Sequence, residues 1–546
     1  MILAESAIRP ADWAVVVVYF AGIIGMGTYF ARRQRTTKEY FLGSRSMPSW
    51  VVGLSIIATL LSTISYLANP GEMIQNGPGL FFKVLAVPFS YVAVAYWIIP
   101  FFMRLPITSA YEYLEVRFGG ETRTLGAVLF VLVRVVWMSV VVYTASGAMA
   151  RMTGAPLWVV ILGVGLVTTF YAAFGGIRAV IWTDVIQFLI LLGGAVFAIG
   201  FVSWKMGFSN MTSLAYQTSE PLAPLWSWDP GLRLTVLGIA LHTFAWVVCT
   251  YSADQVVIQR YLSTRDAHAA RRSYLISCIA GLFLTVILSA VGFALLAFYT
   301  QNSHLLTGEM SGKLFDEADD VFPFFIAHEL PAGVTGLITA ALFAAAMSSL
   351  DSGVNSLSTV ITVDFYQRWR LRRISDSQSL RFAKTLALAL GLMATVLALF
   401  VENIEGNIVV VTNKSTSCVV GPLFGLFALG MFTRRTNQFG AIAGPLVGFV
   451  VGLIMTFSGQ WFGDKYEISF MWLIISPVIV TVVAGYLASF VRPAPTSGQL
   501  RFTRREVMSG PPPAFPMAES AGPREPSAFP VVAEREGRKG DDPSGE

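Results

Sequence analysis

Charge is scarce in this chain. Only 13% of its 546 residues are Asp, Glu, Lys or Arg, where an ordinary soluble domain carries about 25%. With 55% of residues hydrophobic and a mean hydropathy of +0.63, few soluble folds keep so much apolar surface from water, whereas a bilayer accepts it. Cysteine is almost missing. Cys249, Cys278 and Cys418 each lie in an apolar stretch without metal-ligand spacing, so they read as small buried hydrophobes. The four histidines, His242, His268, His304 and His328, show neither metal nor triad spacing. Without a clustered His, Asp or Ser constellation at one interface, the chain does not read as an enzyme. There is no phosphate-binding glycine motif, which argues against ATP as the energy source. There is no convincing cleavage pattern after Arg9, so the first apolar segment is expected to be retained.

What is present is a succession of apolar segments. A spanning helix needs roughly 20 mainly apolar residues, and thirteen candidates meet that need: 11–31, 49–68, 80–103, 124–150, 156–174, 180–203, 233–253, 273–299, 333–363, 383–401, 408–431, 438–458 and 468–491. The basic residues, which raise the pI to about 9.0, fall in short runs between these segments. That pattern writes membrane orientation and not nucleic-acid binding. With the N-terminus outside, the inside loops hold twenty-one Lys and Arg against about eight outside, so the C-terminus is expected in the cytoplasm. From 492 onward Pro, Gly and charge dominate. That composition predicts a disordered cytoplasmic tail over 492–546 behind a transmembrane domain of residues 1–491. No soluble domain follows, which argues against a sensor fused to a kinase.

Two spans carry polar residues and helix breakers at mid-membrane depth. The second reads GLSIIATLLSTISYLANPGE, with Ser62, Thr63 and Ser65 and then Asn69-Pro70-Gly71. The seventh reads LGIALHTFAWVVCTYSADQ, with His242, Thr243, Thr250 and Ser252. Non-helical backbone survives in a membrane only where it lines a cavity or is buried in protein. Transporters use such interruptions to offer carbonyls to a cation and amides to a substrate. These spans stand five apart, which fits two inverted five-helix repeats, 49–203 and 233–431, each opening on a broken helix. Hydroxyls that bond the preceding turn are the plainer alternative.

The segment TAALFAAAMSSLDSGVNSLSTV, residues 339–360, is the most informative. Ala345, Ser348, Ser349, Ser352 and Asn355 share one helical face, and small residues there let another helix approach. Asp351 flanks that face, and an ionisable group inside a span points to function. Oxygen ligands with one carboxylate suit a hard cation. Asp184, in FGGIRAVIWTDVIQF, lies about two turns beyond the Gly175-Gly176 break; it reads as a second ion-site residue or as the partner of Arg178. Arg134, inside an apolar span, either snorkels to the interface or pairs with a carboxylate. His242 is either a packed histidine or a substrate contact.

These motifs resemble the sodium:solute symporter family. FGGIRAVIWTDVIQ is similar to its most specific signature. PITSAYEYLEVRFG (106–119), DQVVIQRYLSTRD (254–266), AAAMSSLDSGVNS and GPLFGLFALGMFTRRTNQFGAIAG (421–444) follow in the expected order. The resemblance covers roughly 12–490. It implies an all-α membrane protein with a five-plus-five inverted repeat whose first and sixth core helices are broken. It also implies secondary active uptake of a small organic solute driven by Na⁺ across a plasma or inner membrane. Carried over by motif, the main Na⁺ site falls on the carbonyls of Ala58, Leu61 and Ala345 and the hydroxyls of Ser348 and Ser349. The second Na⁺ site of some relatives falls on Asp184, Ser348, Asp351 and Ser352. Asp351 stands where such relatives can have a hydroxyl residue; its charge either holds Na⁺ more tightly or takes a proton. The wording of the motifs, including His242-Thr243-Phe244, is similar to the monocarboxylate, vitamin and iodide branch. Ser65 stands where sugar carriers have an amide, which weakens the sugar alternative. An anionic solute is expected, lined by Ser65, Tyr66, Gln75, His242, Trp246 and Thr250.

Overall fold

The structure is a computed structural model that describes residues 9–32, 36–61, 63–369, 375–401, 408–511 and 513. Among the described residues there is no strand. Nine helices among these residues are long and apolar enough to cross a membrane, and shorter apolar helices occupy Ser49–Leu60, Leu157–Phe170, Thr416–Phe432 and Trp472–Ala488. The main elements are α1 (Pro10–Ala31), α2 (Ser49–Leu60), α3 (Thr63–Asn76), α4 (87–103), α5 (Gly120–Thr153), α6 (Leu157–Met206), α7 (Val236–Ala253) and α8 (Gln255–Leu262). They continue with α9 (Ala267–Gln301), α10 (Val334–Val360), α11 (Asp376–Ala398), α12 (Ile408–Phe432), α13 (Gln438–Thr456), α14 (Trp472–Ala488) and α15 (Arg504–Ser509). A π turn over Ile361–Tyr366 extends α10.

The breaks position everything else. Between α2 and α3, Leu61 takes the extended conformation φ −83°, ψ 91°. Between α7 and α8, Asp254 does the same, at φ −85°, ψ 119°. Both interruptions fall later or earlier than the breaker residues predict. Asn69-Pro70-Gly71 lies inside α3. There Gly71 lets residues 318–319 approach so closely that a Cβ would stand 2.5 Å from Asp319 Oδ1. Gly71 serves packing, and the chain unwinds one helical limb earlier. The span expected at 49–68 is therefore two limbs, and the next begins after a 3-10 stretch, Gly77–Ala86. In α6 the division is at Gly176, whose φ of 58° and ψ of −178° only glycine adopts readily.

α10 is the axis of the fold. Its residues from Ile338 to Val360 are buried throughout, whereas α1 leaves Val17 and Val18 61% and 72% exposed, as a helix facing lipid does. The start of α10 is capped in trans: the buried Asp12 carboxylate of α1 accepts from Gly333 N at 2.6 Å and Gly336 N at 2.8 Å. Those amides have no partner within their own helix, and the carboxylate also suits the positive end of the helix dipole.

The first part of the expected tail is folded. Ser497–Leu500 and Arg504–Ser509 are helical. Phe502 and Val507 are buried, Arg104 donates to the carbonyls of Val507 and Met508 at 2.8 Å, and Arg504 donates to Trp97 O at 3.0 Å. An average over the whole tail hides these few anchors. Residues 514–546 lie outside the described residues.

Candidate ion and solute site

α2 ends where α10 presents its hydroxyl face. Ser349 Oγ donates to Thr59 O at 3.3 Å, and Thr63 Oγ1, at the start of α3, donates to Leu342 O at 3.3 Å. Ala58, Leu61, Ala345, Ser348 and Ser349 are all buried at this junction. The unwound segment and the hydroxyl face are thus in contact. The last carbonyls of α2 have no helical successor, and they carry the negative end of its dipole. Carbonyl and hydroxyl oxygens are the donor types that suit a hard cation.

Beside this junction is a buried ionic cluster. Asp184 pairs with Arg260 of α8 at 2.9 Å, both residues being at most 1% exposed. Asp184 Oδ1 accepts from Ser348 Oγ at 2.5 Å. Asp184 Oδ2 accepts from Ser55 Oγ at 2.5 Å and Thr59 Oγ1 at 3.2 Å. The guanidinium also donates to Ser352 Oγ at 2.6 Å and Ser55 Oγ at 2.8 Å. Ser352 Oγ in turn donates to Asp351 Oδ1 at 3.2 Å. Arg178, the other expected partner of Asp184, instead donates to Gly43 O and Ser46 Oγ.

Arg260, Ser55 and Thr59 are the residues that sequence reading missed. Counted among the loop cations, Arg260 is in fact buried, and so are Arg117 and Arg123. One signal was available: Arg260 closes the run Val256-Val257-Ile258, where an exposed loop cation is out of place. Ser55 and Thr59 stand one turn apart on α2, facing a carboxylate that only the fold brings near.

Above the junction is a cavity of about 300 Å³. Of the expected solute contacts, Ser65, His242 and Trp246 line it. Tyr66 does not. It is fully buried, donates to Leu191 O at 3.2 Å and packs on Phe322, because neighbouring residues on a helix point about 100° apart. Gln75 lies near the far end of α3, and Thr250 is buried behind the wall, where Tyr251 takes its place. His242 is a packed histidine that also lines the cavity: its ring lies nearly at right angles to that of Phe470 and Nδ1 is 3.2 Å from Met471 O.

Around the second break, polar side chains tie neighbouring elements together. Arg134 of α5 pairs with Asp254 at the second break, which settles its role as a paired residue. Gln255 donates to Thr108 O and accepts from Ala110 N. Gln259 donates to Phe41 O and to the side chains of Asn355 and Thr359. Arg123 pairs with Asp364 and Glu115, each at 2.6 Å. Among the described residues no cluster of three His, Cys, Asp or Glu side chains suits a transition metal.

Residues 40–448 match the sequence profile of the sodium:solute symporter family. The chain is 31% identical over 494 residues to a sodium/sialic acid symporter of Proteus mirabilis, covering 88% of this chain and 96% of that one. It is 33% identical to a sodium-dependent multivitamin transporter of Oryctolagus cuniculus, covering 84% and 71%. Its fold is similar to a solved, substrate-bound outward-open Na⁺-coupled sialic acid symporter, with a TM-score of 0.80 and 29% identity over 89% of this chain and 99% of that one.

Proposed function

The chain belongs to the sodium:solute symporter family. It is a multi-pass membrane transporter that couples Na⁺ to a small organic solute, and on that premise we propose where each is held. Na⁺ sits among the carbonyls of Ala58, Leu61 and Ala345 and the hydroxyls of Ser348 and Ser349. The solute occupies the cavity lined by Ser65, His242 and Trp246. The observation that carries this reading is the 3.3 Å contact of Ser349 with Thr59 O, since it requires the two halves of the ion site to meet.

A second cation is held beside Asp184, Asp351 and Ser352. Asp184 and Asp351 are joined through Ser352 and Arg260, and buried carboxylate and hydroxyl oxygens are the donor type for a second Na⁺ or a proton. The N-terminus lies outside and the C-terminus in the cytoplasm. Of the inside cations, Arg117, Arg123 and Arg260 answer to protein partners, and the remaining excess still favours this orientation. Na⁺ binding favours the conformation that takes solute from outside. Release inside requires the ties of Arg134, Gln255 and Gln259 to part. Each ligand strengthens the other by a coupling of about 1–3 kcal/mol.

The test is uptake into proteoliposomes under an inward Na⁺ gradient, after a thermal-stability screen of sugars, carboxylates, amino acids and vitamins with and without Na⁺. The expected result is a solute that stabilises only with Na⁺ and accumulates only with the gradient. Equal uptake with choline in place of Na⁺ refutes the reading, and stabilisation without flux favours a receptor that kept the transporter fold.

A further inference from the structure

The cavity wall carries one Lys, Arg, Asp or Glu among its described residues, Lys83, in the 3-10 stretch that follows α3. Its ammonium donates to Asn69 Oδ1 at 2.9 Å, and Asn69 also lines the cavity. Among the described residues no carboxylate lies within 4.0 Å of that ammonium. The acid closest along α3, Glu72, is held by Arg233, with Nη2 on Oε2 at 2.8 Å.

The chemistry of this pair is one-sided. An ammonium has three donors and no acceptor. One donor is spent on the only acceptor of the Asn69 side chain, so what remains toward the cavity is N–H from both residues. A half-buried cation facing an apolar wall is costly unless a counter-charge meets it. We propose that Lys83 and Asn69 form the subsite for the carboxylate of the transported solute, which is an organic acid with an apolar body.

Asn69 stands one turn along α3 from Ser65, on the same face, so the acid lies between Lys83 and the first turn of α3. The positive dipole end of α3 adds to the attraction. The body of the solute rests on Ile57, Leu60, Trp137, Trp246 and Leu288. Most of this wall is apolar, which favours an apolar body over a ring of hydroxyls. A cavity of about 300 Å³ is at the small end of ligand sites.

The proposal rests on the reading of this cavity as the solute site, and the experiment keeps the two apart. The probes are butyrate, benzoate and lipoate, each against its own amide, with N-acetylneuraminate as a polyhydroxylated acid. Binding to the full-length protein in nanodiscs is followed by thermal stability with and without Na⁺, and transport is followed by uptake into proteoliposomes. At least one of the three carboxylates stabilises with Na⁺, and its amide does not. Lys83→Met weakens that carboxylate roughly 10- to 100-fold, as expected for losing a charged hydrogen-bond partner, and Lys83→Arg restores most of it. Stabilisation by Na⁺ alone reports the ion site separately. If Na⁺ itself has no effect, the symport reading fails first. If Na⁺ acts but the carboxylates do not, or the amides match them, or Lys83→Met leaves affinity unchanged, this assignment is overturned. A preference for N-acetylneuraminate overturns the apolar body.

Discussion

Ser349→Ala separates the ion site from ordinary packing. In the structure its hydroxyl makes one long neutral hydrogen bond, 3.3 Å to Thr59 O. Such a bond contributes at most about 1 kcal/mol net, so without Na⁺ the variant should be almost as stable as the wild type. With Na⁺ the same oxygen faces a full charge, and hydrogen-bond-like contacts to charged groups are worth about 1.5–3 kcal/mol. The Na⁺ concentration for half-maximal effect should therefore rise roughly 10- to 100-fold. The assay is a Na⁺ titration, with choline keeping ionic strength constant, of both unfolding temperature and solute uptake. Ser349→Thr keeps the hydroxyl and should fall between the two. If half-maximal Na⁺ moves less than twofold, the hydroxyl is not a ligand. If Na⁺-free stability drops as far as Na⁺-bound stability, the residue is only packing.

Two further outcomes follow from the neighbouring contacts. Arg260→Gln and Asp184→Asn each strand a buried partner and should destabilise by about 3–5 kcal/mol. The double variant should lose clearly less than the sum, because the pair is one unit; strictly additive losses in Na⁺-free unfolding would refute the pairing. Arg504→Ala removes the donors to Trp97 O and Tyr96 O and the stacking on the Trp97 ring. It should open residues 497–511 to limited proteolysis while changing uptake less than twofold, and unchanged protection would show that Phe502 and Val507 hold the segment by themselves.

Much of this was legible along the chain where the signal is local. The hydroxyl face of α10 follows from the 3.6-residue period, so Ser348, Ser349 and Ser352 fall where that period puts them. The Gly176 division follows from a glycine pair between apolar runs. What was not legible depends on distant partners. Ser55 and Thr59 meet Asp184 across 129 and 125 residues, and no local pattern links them. Arg260 was misread because counting loop cations assumes that each faces water. Ser65 and Tyr66 show the finer limit: both are in the expected turn, but one side chain enters the cavity and the other turns into the core. Lys83 carries no local signal in the sequence, and its place became clear from the cavity it lines.

The two broken helices have matching interruptions but do not offer the same chemistry. At the second break Asp254 serves its own gap. Its side chain accepts from Val256 N at 2.9 Å and pairs with Arg134, so the first amides of α8 and their positive dipole end already have an anion. The carbonyl of Ala253 is taken by Tyr111 Oη at 3.0 Å. At the first break no acidic residue stands between α2 and α3: the chain there reads Leu60-Leu61-Ser62-Thr63. Near the carbonyl end of α2 the Ser349 hydroxyl donates to Thr59 O, and the first turn of α3 opens beside Ser65 in the cavity wall. One interruption therefore leaves a negative helix end and a positive helix end a few residues apart. The other, capped by its own carboxylate, is free to act as a joint held by Arg134. The proposed ion and solute sites both fall at the first break, while the second is neutralised from within by Asp254, and that proximity would give each ligand a direct electrostatic reason to favour the other.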